Sequence, residues 1–243
     1  MKTNMIKKYF TLLLAAIMLF ASLPVSATIE AVGEYRRDDN PRITGYEFHV
    51  IQLVSQVCPH DLILPYLEET LEELRTREPE PKFPFRARVA LVGSEIDDPD
   101  FTKLIESCGA MVVADRYCFG SFPGREEIEI RPGESAFDAV CRHYLHWNQC
   151  ARFMDGMKID QRTSEVQRLV KEFAADGIIY ENMKFCEFWS YEKVLKSHIF
   201  INDLHVPTCT IEKEYALGAV GQLRTRFQAF IESLEIKQIQ GGK

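Results

Sequence analysis

"RVALVGSEIDDPDFTKLIESCGAMVVAD", residues 88–115, decides the fold. Its two ends, RVALVG (88–93) and AMVVAD (110–115), are apolar throughout instead of alternating, as strands buried on both faces are. Between them DPDFTKLIESCG (98–109) carries apolar residues at helical spacing and stops at Gly109. Strand, helix and strand within so short a span form a βαβ unit, in which the strands are parallel and the crossover right-handed.

The alternation continues downstream. After a Gly- and Pro-rich loop at 116–133, SAFDAVCRHYLHW (135–147) reads as a helix, followed by a longer one over about 161–175. GIIYE (177–181) is a strand, a helix begins near Trp189, VPTCTIE (206–212) is a strand, and GQLRTRFQAFIESLE (221–235) is the final helix. The pattern predicts an α/β fold over residues 86–236: a doubly wound, Rossmann-like or flavodoxin-like parallel sheet of about four strands flanked by helices. A short tail, 237–243, follows.

Upstream, residues 28–85 predict a helical segment. TGYEFHVIQLVSQV (44–57) and HDLILPYLEETLEELRTR (60–77) have helical spacing, with Leu64, Leu67, Leu71 and Leu74 forming one stripe. Pro65 is best accommodated near a first turn, since an interior proline removes a ladder hydrogen bond. EPEPKFPF (78–85), with three prolines, reads as a stiff linker.

The net charge of −7 leaves no basic stripe to neutralise phosphates, which excludes a nucleic-acid binder. With 46% hydrophobic and 11% aromatic residues, the chain has core-forming material without needing disulfide staples. It shows no internal repeat and no low-complexity tract. The seven cysteines are odd in number and lack a C-x-x-C pair, the complement of a reduced, intracellular protein.

The first 27 residues read the other way. Lys2, Lys7 and Lys8 precede an apolar run from Tyr9 to Leu23, then Pro24 and the small-residue stretch Val25-Ser26-Ala27, as in a cleaved export signal. The run is shorter than the roughly 20 residues that span a bilayer, so the alternatives are a signal peptide and a buried helix. Cleavage after Ala27 would export a chain of charge −7 − 3 = −10, because three lysines and no acids are lost.

In a doubly wound sheet, ligands bind beyond the carboxyl ends of the strands. Four loops form that rim: Gly93–Asp97, Asp115–Gly120, Met183–Cys186 and Lys213–Gly221. With strand order 2-1-3-4, the Cys118 and Cys186 loops flank the first strand, with strand ends ~10 Å apart. From spacing, each thiol is open to several readings: packing, nucleophile with Lys184 nearby, or metal ligand. His198 and His205 read as surface or helix-end residues rather than zinc ligands. No G-x-G-x-x-G accompanies VGSEID, so a dinucleotide fingerprint is missing. Arg224 and Arg226, in the first turn of the last helix, call for an anion nearby: a phosphate, or Glu212 or Glu214.

Four stretches together, YRRDDNPRITGYE (35–47), ARVALVGSEIDDPDFTKLIESCGAMVVADRYCFGSF (87–122), DGIIYENMKFCEFWSYE (176–192) and GQLRTRFQAFIESLE (221–235), resemble the C-terminal half of the benzoyl-CoA reductase / 2-hydroxyacyl-CoA dehydratase family. That resemblance implies Rossmann-like domains holding a [4Fe–4S] cluster on cysteine thiolates. It further implies a related second subunit, an ATP-dependent iron–sulfur activator, and a CoA thioester substrate that loses its hydroxyl as water after one-electron reduction. By resemblance, Cys186 in M-K-F-C is the cluster ligand of this domain, and Cys118 in D-x-x-C-x-G is a further rim candidate. Lys184 and Arg226 are the candidate substrate-binding cations. Glu187-Phe188 departs from the acidic-proline pair usual after the cysteine, and the family's N-terminal cysteine pattern has no counterpart in residues 1–43. A double-cubane-type reductase of small molecules, or a non-catalytic, exported relative, are the alternatives.

Overall fold

A computed structural model describes residues 25–79, 84–121, 128–147, 150–153 and 155–241. The apolar run of the signal-like segment, Tyr9–Leu23, lies outside the described residues, as does the centre of the proline-rich stretch. Among the described residues eight α-helices and four strands follow one another as α1 (Val25–Glu34), α2 (Gly45–Val57), α3 (His60–Thr76), β1 (Ala87–Val92), α4 (Pro99–Ser107), β2 (Ala110–Arg116), α5 (Ala136–Trp147), α6 (Gly156–Glu172), β3 (Gly177–Met183), α7 (Glu187–His198), β4 (Thr208–Lys213) and α8 (Val220–Gln240). A π-helical turn, Ile199–Asp203, extends α7.

All strand pairs are parallel and the order is β2-β1-β3-β4, so the sheet is the α/β architecture predicted. Alternate residues feed two cores, as the period of two along a strand requires. Ala87, Val89 and Leu91 pack with Phe101, Ile105, Phe227 and Ile231 of α4 and α8. Ala90, Val92, Ile178 and Tyr180 pack with Val166, Leu169, Phe173 and Trp189 of α6 and α7. The β1–β2 register slips between Val89 and Ala90, which pair with Val112 and Ala114. The extra residue turns Val113 and Ala114 onto the same face of the sheet.

Helices α1–α3 cover the outer edge of β2 around Val32, Ile43, Phe48, Leu71 and Leu74. A polar seam fastens them to the sheet. Thr44 and Glu47 form a reciprocal capping box at the start of α2. Glu106 accepts hydrogen bonds from the Gly45, Tyr46 and Val112 N–H groups at 2.8, 3.2 and 3.2 Å. A carboxylate at a helix N-terminus satisfies donors that have no partner within the helix. A Cβ at Gly45 would meet the Val112 carbonyl oxygen at 2.6 Å, so only glycine permits this approach. Arg36 and Asp115, 2 and 1% exposed, form an ion pair at 2.8 Å, with the Arg36 guanidinium stacked 3.7 Å from the Phe48 ring centroid.

Three predicted details shift. Helix α3 begins at His60, which places Pro65 in its second turn rather than its first. Without an N–H, Pro65 leaves the Asp61 carbonyl out of the ladder. The longer helix starts at Gly156, capped by the Asp155 carboxylate on the Lys158 N–H. Helix α7 starts at Glu187, two residues ahead of Trp189, because Cys186 is its N-cap.

Replacing Arg36 by Met removes one partner of a buried ion pair with Asp115, a change that typically costs about 3–5 kcal/mol. Urea unfolding of Arg36→Met should show a loss of that order; a loss within the ordinary surface range would refute the anchoring role given to the pair.

Candidate functional site

The carboxyl ends of the four strands converge on one rim, and Ser94 is its hub. The Ser94 N–H and Oγ both donate to Glu181 Oε2, at 3.0 and 2.9 Å. Its Oγ also accepts from the Met183 N–H at 2.7 Å, and its carbonyl accepts from the Cys118 N–H at 2.9 Å. One residue after β1 thus fixes the loops that follow β2 and β3. Gly93 makes room for it, since a Cβ there would lie 2.6 Å from the Glu181 carbonyl oxygen and 2.7 Å from Oε2.

Glu181 is fully buried, and its second oxygen, Oε1, has no hydrogen-bond partner among the described residues. Burial pushes its carboxyl up to about 7, against the pull of the Ser94 hydrogen bonds and of Lys213 and Lys193. Desolvation therefore outweighs the groups that favour the carboxylate.

From Glu181 the chain runs through Met183 into the loop bearing Cys186. The Lys184 N–H extends the β3–β4 ladder to the Lys213 carbonyl at 2.8 Å, and the Cys186 N–H turns back to the Met183 carbonyl at 3.1 Å. The turn forces Phe185 to φ 70°, the left-handed region that disfavours side chains other than glycine's, and leaves its ring 96% exposed. Cys186 then caps α7, its carbonyl accepting from the Ser190 N–H at 2.9 Å. Its half-buried sulfur is carried at a helix N-terminus, where unpaired N–H groups favour negative charge.

Cys118 is also half-buried, and burial pushes its thiol up to about 12. Electrostatic repulsion from Cys150, Glu95, Cys186 and Glu181 adds to that effect. The loops of the two predicted cysteines therefore share the rim, and Cys150, which the sequence reading did not single out, lies near enough to Cys118 to act on its thiol. Cys150 arrives on the connection between α5 and α6, which has no strand or motif to announce it. Its carbonyl and that of Phe153 accept from Arg162, which pairs with Glu192 of α7 at 2.6 Å in a fully buried bridge. Among the described residues no group of three or more His, Cys, Asp or Glu side chains is arranged to hold a metal ion.

The candidate cations stand differently. Lys184 sits on the rim and pairs with Glu214 at 2.8 Å across solvent. Arg226 donates to the Thr210 carbonyl at 2.6 Å and Arg224 to Ser107 Oγ at 3.1 Å, so neither takes the glutamate partner considered from the sequence. Because α8 starts at Val220, both lie beyond its first turn. His198 ends α7, and His205 lies in a loop at φ 55°.

The chain matches the family described as "2-hydroxyglutaryl-CoA dehydratase, D-component" over residues 25–234, and it belongs to that family. YjiM of Escherichia coli (strain K12), provisionally named a dehydratase subunit, is 29% identical over 152 residues, covering 61% of this chain and 38% of its own length. The (R)-phenyllactyl-CoA dehydratase beta subunit of Clostridium sporogenes is 27% identical over 172 residues, covering 69% of this chain and 43% of its own. The chain thus aligns with about two fifths of the length of these relatives.

The Glu181 carboxyl gives a pH signature. Its pKa rises from 4.5 to about 7 on folding, so the native state holds the proton that the unfolded chain releases. Its contribution to stability is complete below about pH 4.5 and is lost as pH rises through about 7, up to roughly 3 kcal/mol at 1.36 kcal/mol per unit. Denaturant titrations at pH 5 and 8 should show a larger drop in wild type than in Glu181→Gln. Equal drops in the two proteins would remove Glu181 as the source.

Proposed function

We propose that this member of the 2-hydroxyglutaryl-CoA dehydratase D-component family is a subunit of an iron–sulfur enzyme that removes water from a 2-hydroxyacyl-CoA thioester. In this reading Cys186 is the ligand the chain gives to a [4Fe–4S] cluster. The placement of Cys186 carries the reading: a thiol at the carboxyl rim of the sheet, next to a turn that holds Phe185 in the left-handed region, at the N-cap of a helix and on the same rim as the Cys118 loop. Non-glycine residues held in the left-handed region cluster at functional sites.

The rim fits one thiolate position rather than a complete set. Thiolates are the donors iron–sulfur clusters use, but no described cluster of three metal-ligating side chains is present. The remaining ligands then come from other polypeptide: a related second subunit, or a region equivalent to the part of the relatives that this chain does not match. Cys118, in the D-x-x-C-x-G loop, is the weaker candidate by resemblance. An ATP-dependent activator is the partner that would deliver electrons. The cluster's contribution, when bound, is a low-potential electron for the substrate.

The chain's own residues position and enclose. Ser94 and Glu181 fix the Met183 end of the loop, so that the cysteine is presented from a rigid strand rather than a mobile connection. Phe185 offers an apolar face beside it. Lys184, tied to Glu214 only by an exposed ion pair, can exchange that partner for a CoA phosphate at little cost. Arg226 is occupied on the β4 carbonyl and is not needed in this scheme.

Anaerobic production together with a candidate partner subunit, followed by iron and sulfide analysis, tests the proposal. The complex should be brown and iron-loaded, Cys186→Ala should lose most of the iron, and Cys118→Ala should retain it. An iron-free complex, or loading indifferent to Cys186, would leave the rim as scaffold without the family's redox chemistry.

A further inference from the structure

A cavity of about 780 Å³ is walled by α1, α2, α5 and α6 and by Gly120 and Ser121 of the loop after β2. That volume falls within the range of small-molecule sites, roughly 300–1,000 Å³. Its walls are fixed by the chain's own bonds. Asp115 pairs with Arg36 at 2.8 Å and accepts from the Ser121 N–H at 2.6 Å. From α2, Gln56 Nε2 donates to the Phe119 and Gly120 carbonyls at 3.1 and 3.4 Å. Those two residues directly follow Cys118, so the cavity and the thiol rim share one loop.

The lining defines what suits it. Ile29, Phe48, Tyr144 and Phe173 bring apolar and aromatic surface from four elements. With them on the α2 wall is Gln52, 2% exposed, whose Oε1 has no hydrogen-bond partner among the described residues. A buried acceptor left open is costly, and it calls for a donor. The charges turn an anion away. Arg36 is committed to Asp115. Arg37 and Arg168 share Glu172 and also hold Glu34 and Glu165, two guanidiniums against three carboxylates. The site therefore fits an uncharged, largely apolar chain that carries an N–H group.

We infer that this cavity seats the thioester end of an acyl-CoA, with the acyl chain against the aromatic walls and the cysteamine amide N–H donating to Gln52 Oε1. The inference rests on the dehydratase reading for the identity of the ligand and deepens it by naming where the substrate lies. Gln52 then discriminates the amide-bearing arm of a CoA thioester from a simple ester of the same acid, and the nucleotide stays outside.

The test is binding to the iron-free full chain, followed by titration calorimetry. The probes are 2-hydroxyhexanoyl-pantetheine and an analogue in which the cysteamine amide is replaced by an ester, equal in shape but without the donor. Wild type should bind the amide about tenfold more tightly than the ester. Gln52→Leu, similar in size but without the acceptor, should bind both at the weaker level and unfold in urea no earlier than wild type. The amide probe should also slow amide exchange in residues 45–57 and 119–121. This pattern would hold even if the complex with a partner subunit never takes up iron, which separates the two readings. Equal binding of the two probes by wild type would overturn the inference. So would a preference for the amide that survives Gln52→Leu, or binding confined to compounds that keep the nucleotide.

Discussion

The rim of this protein depends on one hydroxyl-bearing residue. A parallel sheet covered on both faces delivers all its strand ends to the same edge, and there the ladder runs out of partners. Ser94 supplies them in three directions: its N–H and hydroxyl go to Glu181, its Oγ receives Met183, and its carbonyl receives Cys118. The loops after three adjacent strands are thereby locked together without a ligand. The cost is a buried carboxyl whose second oxygen is unsatisfied among the described residues, a form of tension that functional sites commonly retain.

A second polar seam does for the helical layer what Ser94 does for the rim. Glu106, Arg36–Asp115 and the His49 ring, which reaches Thr102 Oγ1 at 3.0 Å and the Ile96 carbonyl at 3.1 Å, all join α1 or α2 and their flanks to the sheet and α4. Apolar contact alone would let these helices slide along the edge of β2. Directional bonds to buried groups set one register, at the expense of desolvating two charges.

The strands were legible because doubly buried strands leave an unmistakable apolar run, and RVALVG and AMVVAD appear where they were read. The order 2-1-3-4, on which the shared rim of Cys118 and Cys186 depends, was one assumed arrangement of a doubly wound sheet, and it is the order found. What escaped was long-range and polar. Arg36 meets Asp115 across 79 positions, and Ser94 meets Glu181 across 87, with no periodicity to betray either. Cys150 comes near Cys118 through an irregular connection. Arg226 reads as an anion seeker from sequence because the backbone carbonyl of Thr210 that accepts from it is invisible there.

That last contact has a consequence for how molecules of this protein meet. The β2 edge of the sheet is roofed by helices, whereas β4 is the other margin. Along β4 the carbonyls of Pro207 and Lys213 face β3, so the alternate ones, Thr210 among them, point away from the sheet. The guanidinium on Thr210 occupies an acceptor that a stray strand would use to dock. A side chain first suspected of seeking substrate thus acts as a gatekeeper against templated fibre growth, keeping the open margin from recruiting another sheet.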